Sequence, residues 1–462
     1  HGDLSAGGYA GPMVENGTSQ SGQVGGSGLG ADPAQAPNPL DAMRIAYESG
    51  ARLPASQVTR PLDQCVGEVL AQDVRVVRDV PHYDSSAMDG FAVRGPGPWS
   101  VGECAWPVAT GSLVPSEATS VVRQEWVRVE ADGASGAGGA GREQLSLAPG
   151  APQRDLEPGR NIRRAGREAL TGDLVARAGD VLTPAEVAFA AVAGHDALEV
   201  RARPRVGLLL TGTEVVPSGL PQPGFVRDAF GPQLPAYVRM LGAEVVASVR
   251  IGDGEVETEA ALEKLVGQCD VVVSTGGTGH SRVDEVRRAA MRRVEGGAGS
   301  GGTHTKPGRV LFPELNMRPG HPTFLMEHSG VVHVGLPGNP LAAMVALRLV
   351  LTHVLRGALG RGIEQPQTVS LAHDFDPGQG RSGAGSAWRV MPAKPGDTLA
   401  GEGAQQSTQS QDTSGANLQR WELCDKQGSN MLRGLAQARG LVVIPPEGAG
   451  AGDAVACLPL PV

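Results

Sequence analysis

Short runs of aliphatic and β-branched residues alternate with amphipathic segments through the middle of the chain. The apolar runs cover residues 206–210, 245–251, 271–273 and 331–336, and helical spacing covers residues 234–241 and 257–266. Continuous apolar runs of this length are typical of strands buried on both faces of a sheet. Strands that alternate with helices predict a doubly wound, parallel α/β sheet.

Two of the predicted strands end in glycine-rich turns. After residues 271–273 the chain reads Ser-Thr-Gly-Gly-Thr-Gly, and we expect the strand to stop there. Adjacent glycines let another molecule approach the backbone, and successive N–H groups in such a turn form an anion-binding nest. A single turn of this kind more often only reverses the chain.

The second turn, Pro-Gly-Asn-Pro, follows residues 331–336. Asn339 suits a helix N-cap and Pro340 the first helical position, and the free N–H groups at that helix start favour an anion. Turns from two strands of one parallel sheet meet at its carboxyl edge, where ligands bind. The predicted ligand-binding residues of the two turns are Ser274, Gly276, Gly277, Pro337, Gly338, Asn339 and Pro340.

Three acidic residues also follow predicted strands. Glu214, Asp253 and Asp284 each come shortly after an apolar run. Mg²⁺ binds a few carboxylates together with substrate phosphates, so these residues could hold that ion. Acidic residues also favour helix starts, because the helix dipole attracts them. The helix-start explanation suits any one of them better, and for all three beside glycine turns both explanations stay open.

The N-terminal part of the chain has a different pattern. Residues 1–37 are rich in Gly, Ser, Ala and Pro, which predicts a disordered tail. A helix is expected from Leu40, and residues 68–80 look extended. A polar loop at residues 81–93 then opens a series of short strand-like segments. These segments predict a small β-rich domain with a flexible glycine tract at its tip, residues 133–141.

Other segments flank the predicted sheet. The basic cluster at residues 161–168 fits either a solvated surface or a phosphate clamp. Thr183 to Glu186 form a capping-box pattern, which predicts a helix that ends near Gly194. Residues 296–306 form a glycine-rich surface loop. After Leu359, strand-like pieces flank a polar insert at residues 396–417, which predicts a small all-β domain with a disordered loop.

Composition narrows the class of protein. A chain of 462 residues is expected to form two to four domains, and 40% hydrophobic residues allow real cores. A net charge of −9 argues against a nucleic-acid surface. No apolar run of ~18 residues and no signal-peptide pattern is evident, so no membrane partner is expected. Five scattered cysteines without Cys-x-x-Cys spacing favour a reducing cytoplasm.

Three motifs in order resemble one known family. They are Ser85-Ser86-Ala87-Met88-Asp89-Gly90, Ser274-Thr275-Gly276-Gly277 followed by Asp284, and Leu336-Pro337-Gly338-Asn339-Pro340. From about Leu40 to the C-terminus, the chain resembles the molybdopterin molybdenumtransferases, the MoeA and gephyrin E-domain family.

The resemblance implies four domains in an elongated homodimer. Domain I is a discontinuous linker domain, and domain II is β-rich. Domain III is a MogA-like α/β domain that binds molybdopterin, and domain IV is a C-terminal β-barrel-like domain. Their expected bounds are residues 38–80 with 161–203, then 81–160, 204–362 and 363–462.

The resemblance also implies a reaction. Molybdenum from molybdate enters adenylylated molybdopterin, AMP is released, and molybdenum cofactor forms with the help of Mg²⁺. Implied partners are the adenylylating enzyme and apo-enzymes that accept the cofactor. By position, the implied catalytic residues are Asp89, Glu214, Asp253 and Asp284, of which the last three match the acidic positions of the α/β domain. Implied substrate-binding residues include Thr110, Arg318 and Ser429, with Asp89 and Thr110 donated across the dimer.

Several positions depart from the family pattern. Thr213 stands where an aspartate is usual, and Thr278 to Ser281 differ from the usual Val-Ser-x-Gly. Glu314, Arg318 and His321 stand where lysines are common, so one charge is reversed. Two other functions therefore stay open: a non-catalytic scaffold on the same fold, and a molybdopterin adenylyltransferase. The preceding domain with Asp89 and Thr110 argues against the adenylyltransferase, which needs only the α/β unit.

Overall fold

The computed structural model describes residues 36–131, 143–279, 284–296, 308–376, 387–396 and 418–461. The predicted N-terminal tail, the glycine tract and the polar insert lie almost wholly outside these residues. So does the glycine-rich loop, of which only Gly296 is described, as the last residue of a helix.

Helix α1, Pro39–Ala51, confirms the helix expected from Leu40. Asn38 begins it, because its Oδ1 accepts hydrogen bonds from the N–H groups of Leu40 and Asp41 at 3.0 and 2.9 Å. The helix packs closely on the helix Thr352–Ala358, where a Cβ at Gly50 would lie 1.8 Å from the Val354 carbonyl oxygen. The buried face of α1 therefore joins the core of the α/β domain.

Twelve strands, three short 3-10 helices and one α-helix, α2, Pro184–Val192, occupy the described residues between α1 and the α/β domain. The strands are β1 Gln57–Pro61, β2 Val74–Arg75, β3 Ser85–Ser86, β4 Gly90–Val93, β5 Trp99–Ser100, β6 Ala105–Val108, β7 Ser120–Arg123, β8 Val127–Ala131, β9 Glu143–Leu147, β10 Ile162–Arg163, β11 Leu174–Ala176 and β12 Ala197–Arg201.

The pairing of these strands brings distant segments together. β1 pairs with β12, β2 with β11 and β3 with β10, all antiparallel, while β6-β4-β7 and β5-β9-β8 form two three-stranded sheets. The β-rich character predicted for this part of the chain is confirmed. The extended stretch at residues 68–80 forms only the short strand β2, because its other contacts are isolated bridges such as Val80 with Ala169. Helix α2 has the predicted capping box, between Thr183 and Glu186.

The α/β domain contains a six-stranded sheet in the order β16-β13-β17-β21-β20-β18. Its strands are β13 Arg205–Leu210, β16 Glu244–Arg250, β17 Val271–Thr275, β18 Arg309–Phe312, β20 Phe324–His328 and β21 Val331–Leu336, and a separate pair consists of β14 Val215–Val216 and β15 Val226–Arg227. Its helices are α3 Leu234–Met240, α4 Glu255–Val266, α5 Glu285–Gly296, α6 Pro340–Ala346 and α7 Thr352–Ala358, with a π-helical turn, Leu347–Leu351, between the last two.

This sheet is parallel only in part. β16, β13, β17 and β21 run parallel, and β20 and β18 add two strands at one edge, each antiparallel to its neighbour. The antiparallel step is made by a two-residue turn, Ser329 and Gly330, with φ of 50° and 83°. The doubly wound architecture is confirmed, because separate hydrophobic cores cover both faces of the central strands.

The C-terminal region forms a barrel, as predicted. β22 Gln367–Leu371, β23 Trp388–Pro395, β24 Arg420–Leu423, β25 Gly440–Ile444 and β26 Ala454–Pro459 close in the order β23-β24-β22-β26-β25, and β25 pairs back with β23. The short strand β19, Met317–Arg318, pairs with β23, and the short helix α8, Arg433–Gln437, lies between β24 and β25.

The helical stretch Pro340–Ala358 is long and apolar enough, by length and composition, to cross a membrane. The expectation that no segment reaches this threshold is therefore wrong for this one. Of its most apolar 18-residue window, 83% is buried inside the fold, and the stretch packs against α1. Its hydrophobicity is explained by its place in the protein core.

Candidate active site

A cleft of about 990 Å³ lies at the carboxyl edge of the parallel strands. Both glycine turns open into it, as do the three carboxylates that follow the strands. The predicted residues that line it are Glu214, Asp253, Gly276, Gly277, Asp284, Pro337, Gly338, Asn339 and Pro340. The structure therefore brings together residues that are up to 126 positions apart in the chain.

The first glycine turn is shaped by its neighbours. Gly276 and Gly277 have φ of 82° and 60°, a region that glycine adopts at little cost. The Gly276 N–H donates to the Leu336 carbonyl at 2.9 Å, which ties this turn to the end of β21. β17 runs on through Thr275, so the expectation that the strand stops before Ser274 is wrong. The Thr275 carbonyl accepts from the Thr211 hydroxyl at 2.8 Å, and this bond extends the ordered strand end.

The second turn lies against the first. The site of a Cβ on Gly338 is 3.6 Å from the Gly276 Cα, so both turns form one floor of the cleft. The N–H groups of Leu341 and Ala342 donate to the Ser429 carbonyl at 2.9 and 3.2 Å. The prediction that the start of this helix offers free N–H groups to an anion is therefore wrong, because the C-terminal domain already caps it.

Asn339 stands at the N-cap as predicted, but its side chain makes no capping hydrogen bond. Ser429 is not among the cleft-lining residues, although Asn430 and Leu432 are. The C-terminal domain thus supplies part of the cleft wall, next to the residue that the family resemblance implied.

The three carboxylates share the cleft but do not form a ready-made metal cluster. Asp253 Oδ2 accepts from the Thr213 N–H and hydroxyl at 3.0 and 2.9 Å. Thr213 therefore orients Asp253. Across the described parts of the chain, no three Asp, Glu, His or Cys side chains converge closely enough to hold a metal ion. The predicted three-carboxylate site is thus not assembled in this structure.

Sequence reasoning missed the charged pair at the opposite wall. Asp228 is buried, forms an ion pair with Arg250, and accepts from the N–H groups of Phe230 and Gly231 at 2.8 and 3.0 Å. Arg227 also lines the cleft, and its Nη1 donates to the Val216 carbonyl at 3.1 Å. The short strand pair β14–β15 positions these residues, and two-residue strands leave little trace in a sequence pattern.

Two predicted residues of this domain lie outside the cleft lining. Ser274 is fully buried, and its Oγ lies 3.0 Å from Nε2 of His333, so its side chain faces the interior of the sheet. His333 in turn contacts His328, and burial lowers the pKa of His333 well below its ordinary value. Arg318 lies in β19 and is exposed, at the edge of the barrel.

Asp89 and Thr110 contact each other in the β-rich region. Asp89 Oδ1 accepts from the Thr110 N–H at 2.6 Å, and this hydrogen bond lowers the pKa of Asp89. Both residues are exposed, and neither lines the cleft of its own chain. In the basic cluster nearby, Arg164 forms an ion pair with Asp84, which also accepts from the Ala165 N–H at 2.8 Å. That arginine therefore has a structural partner.

Fold and site together define a class: a multidomain protein whose α/β domain carries a cleft lined by two glycine turns and three carboxylates, walled in part by a C-terminal barrel. Comparison with known families agrees. A family model for the MoeA N-terminal region (domain I and II) matches residues 35–194, and one for a probable molybdopterin binding domain matches residues 207–357.

Curated relatives and a solved structure point the same way. Molybdopterin molybdenumtransferase 2 of Mycobacterium tuberculosis is 32% identical over 333 residues, which cover 66% of this chain and 75% of the relative. The molybdopterin molybdenumtransferase of Haemophilus influenzae is 28% identical over 62% and 68% of the two chains. A molybdopterin biosynthesis MoeA protein from Pyrococcus horikosii has the same fold, with a TM-score of 0.68, 22% identity and coverage of 92% and 99%.

The chain therefore belongs to the MoeA family of molybdopterin molybdenumtransferases, and it is an enzyme with a role in molybdenum cofactor biosynthesis.

Proposed function

We propose that this enzyme inserts molybdenum from molybdate into adenylylated molybdopterin, with release of AMP. The observation that carries the proposal is the single cleft that holds both glycine turns and the three carboxylates. The curated relatives named above are molybdopterin molybdenumtransferases, and this chain aligns with most of the length of each. A phosphate-linked adenylate and an oxyanion both need oriented N–H groups. The Gly276 N–H is bonded to the Leu336 carbonyl, so the donors of this turn would be the N–H groups that follow it, from Gly277 to Gly279.

The residues present fit a role for Mg²⁺. Glu214, Asp253 and Asp284 offer the oxygen ligands that this ion prefers, and one or two carboxylates suffice when substrate phosphates and waters complete its coordination. When bound, the ion would offset negative charge on the phosphate oxygens as the adenylate is cleaved. Thr213 holds Asp253 in one orientation, which prepares that carboxylate for such a role.

The remaining parts of the proposal concern the assembly. Asp89 and Thr110 are exposed and outside the cleft of their own chain, which supports a homodimer in which a partner subunit contributes them. The protein that supplies the substrate would be the adenylylating enzyme, and the proteins that receive the product would be apo-enzymes that accept the finished cofactor. A cytoplasmic location suits the five free cysteines, four of which are buried.

The test is a reaction of purified protein with adenylylated molybdopterin, molybdate and Mg²⁺, in which AMP release is followed. Molybdate-dependent release of AMP, with formation of molybdenum cofactor, is the expected result. Tight binding of the substrate without release of AMP would instead support the scaffold function. Adenylylation of molybdopterin from ATP would support the adenylyltransferase.

A further inference from the structure

Arg287 is a buried arginine beneath the glycine turn. It lies on α5, three residues after Asp284, and is only 8% exposed. Burial of a charged guanidinium is costly unless its N–H groups find acceptors. The burial of this guanidinium next to the cleft therefore needs a structural or functional explanation.

The guanidinium joins two walls of the cleft. Its Nε donates to the Thr278 carbonyl at 2.8 Å, and Nη2 approaches the Pro322 carbonyl at 3.4 Å. Thr278 and Pro322 both line the cleft. The Arg287 main-chain N–H also donates to the Gly277 carbonyl at 3.0 Å, so one residue holds two successive carbonyls of the turn.

This arrangement sets the direction of the peptide groups. The C=O and N–H of a trans peptide point in opposite directions. Because the carbonyls of Gly277 and Thr278 are drawn towards α5, the N–H groups of Thr278 and Gly279 point away from it. A ligand in the cleft then meets donors instead of carbonyl oxygens.

Neighbouring groups hold Arg287 in this position. Its guanidinium carbon lies 5.7 Å from the centre of the Phe324 ring, which is itself fully buried. Burial lowers the pKa of Arg287, and the carboxylates of Glu314 and Asp284 oppose that shift. Glu314, the acid at a position where lysine is common in the family, thus offsets part of the cost of burying the guanidinium.

We propose that Arg287 is a positioning residue of the phosphate-binding turn. It keeps two carbonyls away from the ligand and places a positive charge behind the N–H groups that face it. This inference rests on the proposed function and deepens it, because it identifies what prepares the turn for the phosphate-linked part of the adenylylated substrate.

The test compares Arg287→Gln and Arg287→Lys with a matched control, Arg293→Gln. Arg293 lies on the same helix, is 15% exposed at its side chain, and pairs with Glu259 and Glu263, which do not line the cleft. Binding of adenylylated molybdopterin is measured by calorimetry without molybdate, and AMP release and melting temperature are measured separately.

We expect Arg287→Gln to weaken binding by about 10- to 100-fold, as for loss of hydrogen bonds from a charged group. Arg287→Lys keeps the charge and the main-chain bond to Gly277 but cannot reach both the Thr278 and Pro322 carbonyls, so it should recover part of the affinity. Arg293→Gln should lower the melting temperature without weakening binding.

Wild-type affinity in Arg287→Gln, even with a lower melting temperature, would overturn the proposal, and so would equal weakening in Arg293→Gln. Wild-type protein that binds the substrate but releases no AMP would refute the proposed function alone, because the binding comparison still decides the role of Arg287. Failure of the wild type to bind the substrate would overturn both.

Discussion

Replacement of Gly276 with alanine tests whether the first turn requires glycine for a physical reason. Gly276 has φ of +82°, and a Cβ there would lie 2.7 Å from Thr211 Oγ1. A left-handed backbone costs an L-residue about 1–2 kcal/mol, and crowding at a buried position adds about 1–3 kcal/mol. Thr211 is buried and donates to the Thr275 carbonyl, so it cannot turn aside without losing that bond. We expect Gly276→Ala to lower the free energy of unfolding by about 2–5 kcal/mol.

Gly219→Ala is the matched control. Gly219 has a similar φ of +76°, but nothing lies within 4 Å of the place its Cβ would take, and it does not line the cleft. This variant should lose only the backbone contribution of about 1–2 kcal/mol. The difference between the two variants isolates the contact with Thr211.

The assay is chemical denaturation followed by far-ultraviolet circular dichroism, in which helices α3 to α7 contribute most of the described helical residues. All five tryptophans lie outside residues 204–362, and four of them are not part of the α/β core, whereas Trp388 packs against it, so fluorescence reports mainly on the other domains. Gly276→Ala should shift the dichroism transition and leave the tryptophan transition less changed. Equal losses in Gly276→Ala and Gly219→Ala would refute the argument from crowding.

Three further predictions follow from other contacts. The pKa values of His328 and His353 are lowered to about 4 by burial, so both bind protons more readily when unfolded. Their contribution to stability is therefore complete above pH ~6.5 and is lost as the pH falls towards 4, by about 3 kcal/mol for each group. Denaturation across that range should show the loss, and a flat profile would contradict it. Asp253→Asn should keep the fold but reduce AMP release at least about 10-fold, since an amide is a poor Mg²⁺ ligand; full activity at low Mg²⁺ would exclude the proposed role. Ser429→Ala should change stability by no more than about 0.5 kcal/mol, because the contact with α6 is made by the main-chain carbonyl. A large drop in melting temperature would show that the hydroxyl matters to the fold, whereas lost activity alone would assign it to the reaction.

Much of the α/β domain could be predicted because its signals are local. Buried strands such as β13 and β21 are continuous apolar runs. Outside this domain, α2 was predictable for the same reason, because four consecutive residues define its capping box. The glycine turns and the acids after the strands were likewise visible, because parallel strands bring their carboxyl ends to one edge. The edge strands β18 and β20 were not predicted, since a hairpin on a parallel sheet depends on how the whole sheet is covered.

The residues in and around the cleft also fall into two groups: those that the sequence predicts and those that only the tertiary structure places there. Sequence alone determined which residues face it from the two turns and the strand ends, because each follows a strand whose direction is set by the fold class. Only the tertiary structure decided that Ser274 faces inward to His333, that the Ser429 carbonyl caps α6, and that Arg287 lies beneath the turn. The first two facts depend on contacts between segments far apart in the chain, and the third depends on how α5 packs against the turn nine residues before it. A periodic pattern reports which face of an element is buried but not which distant group it meets there.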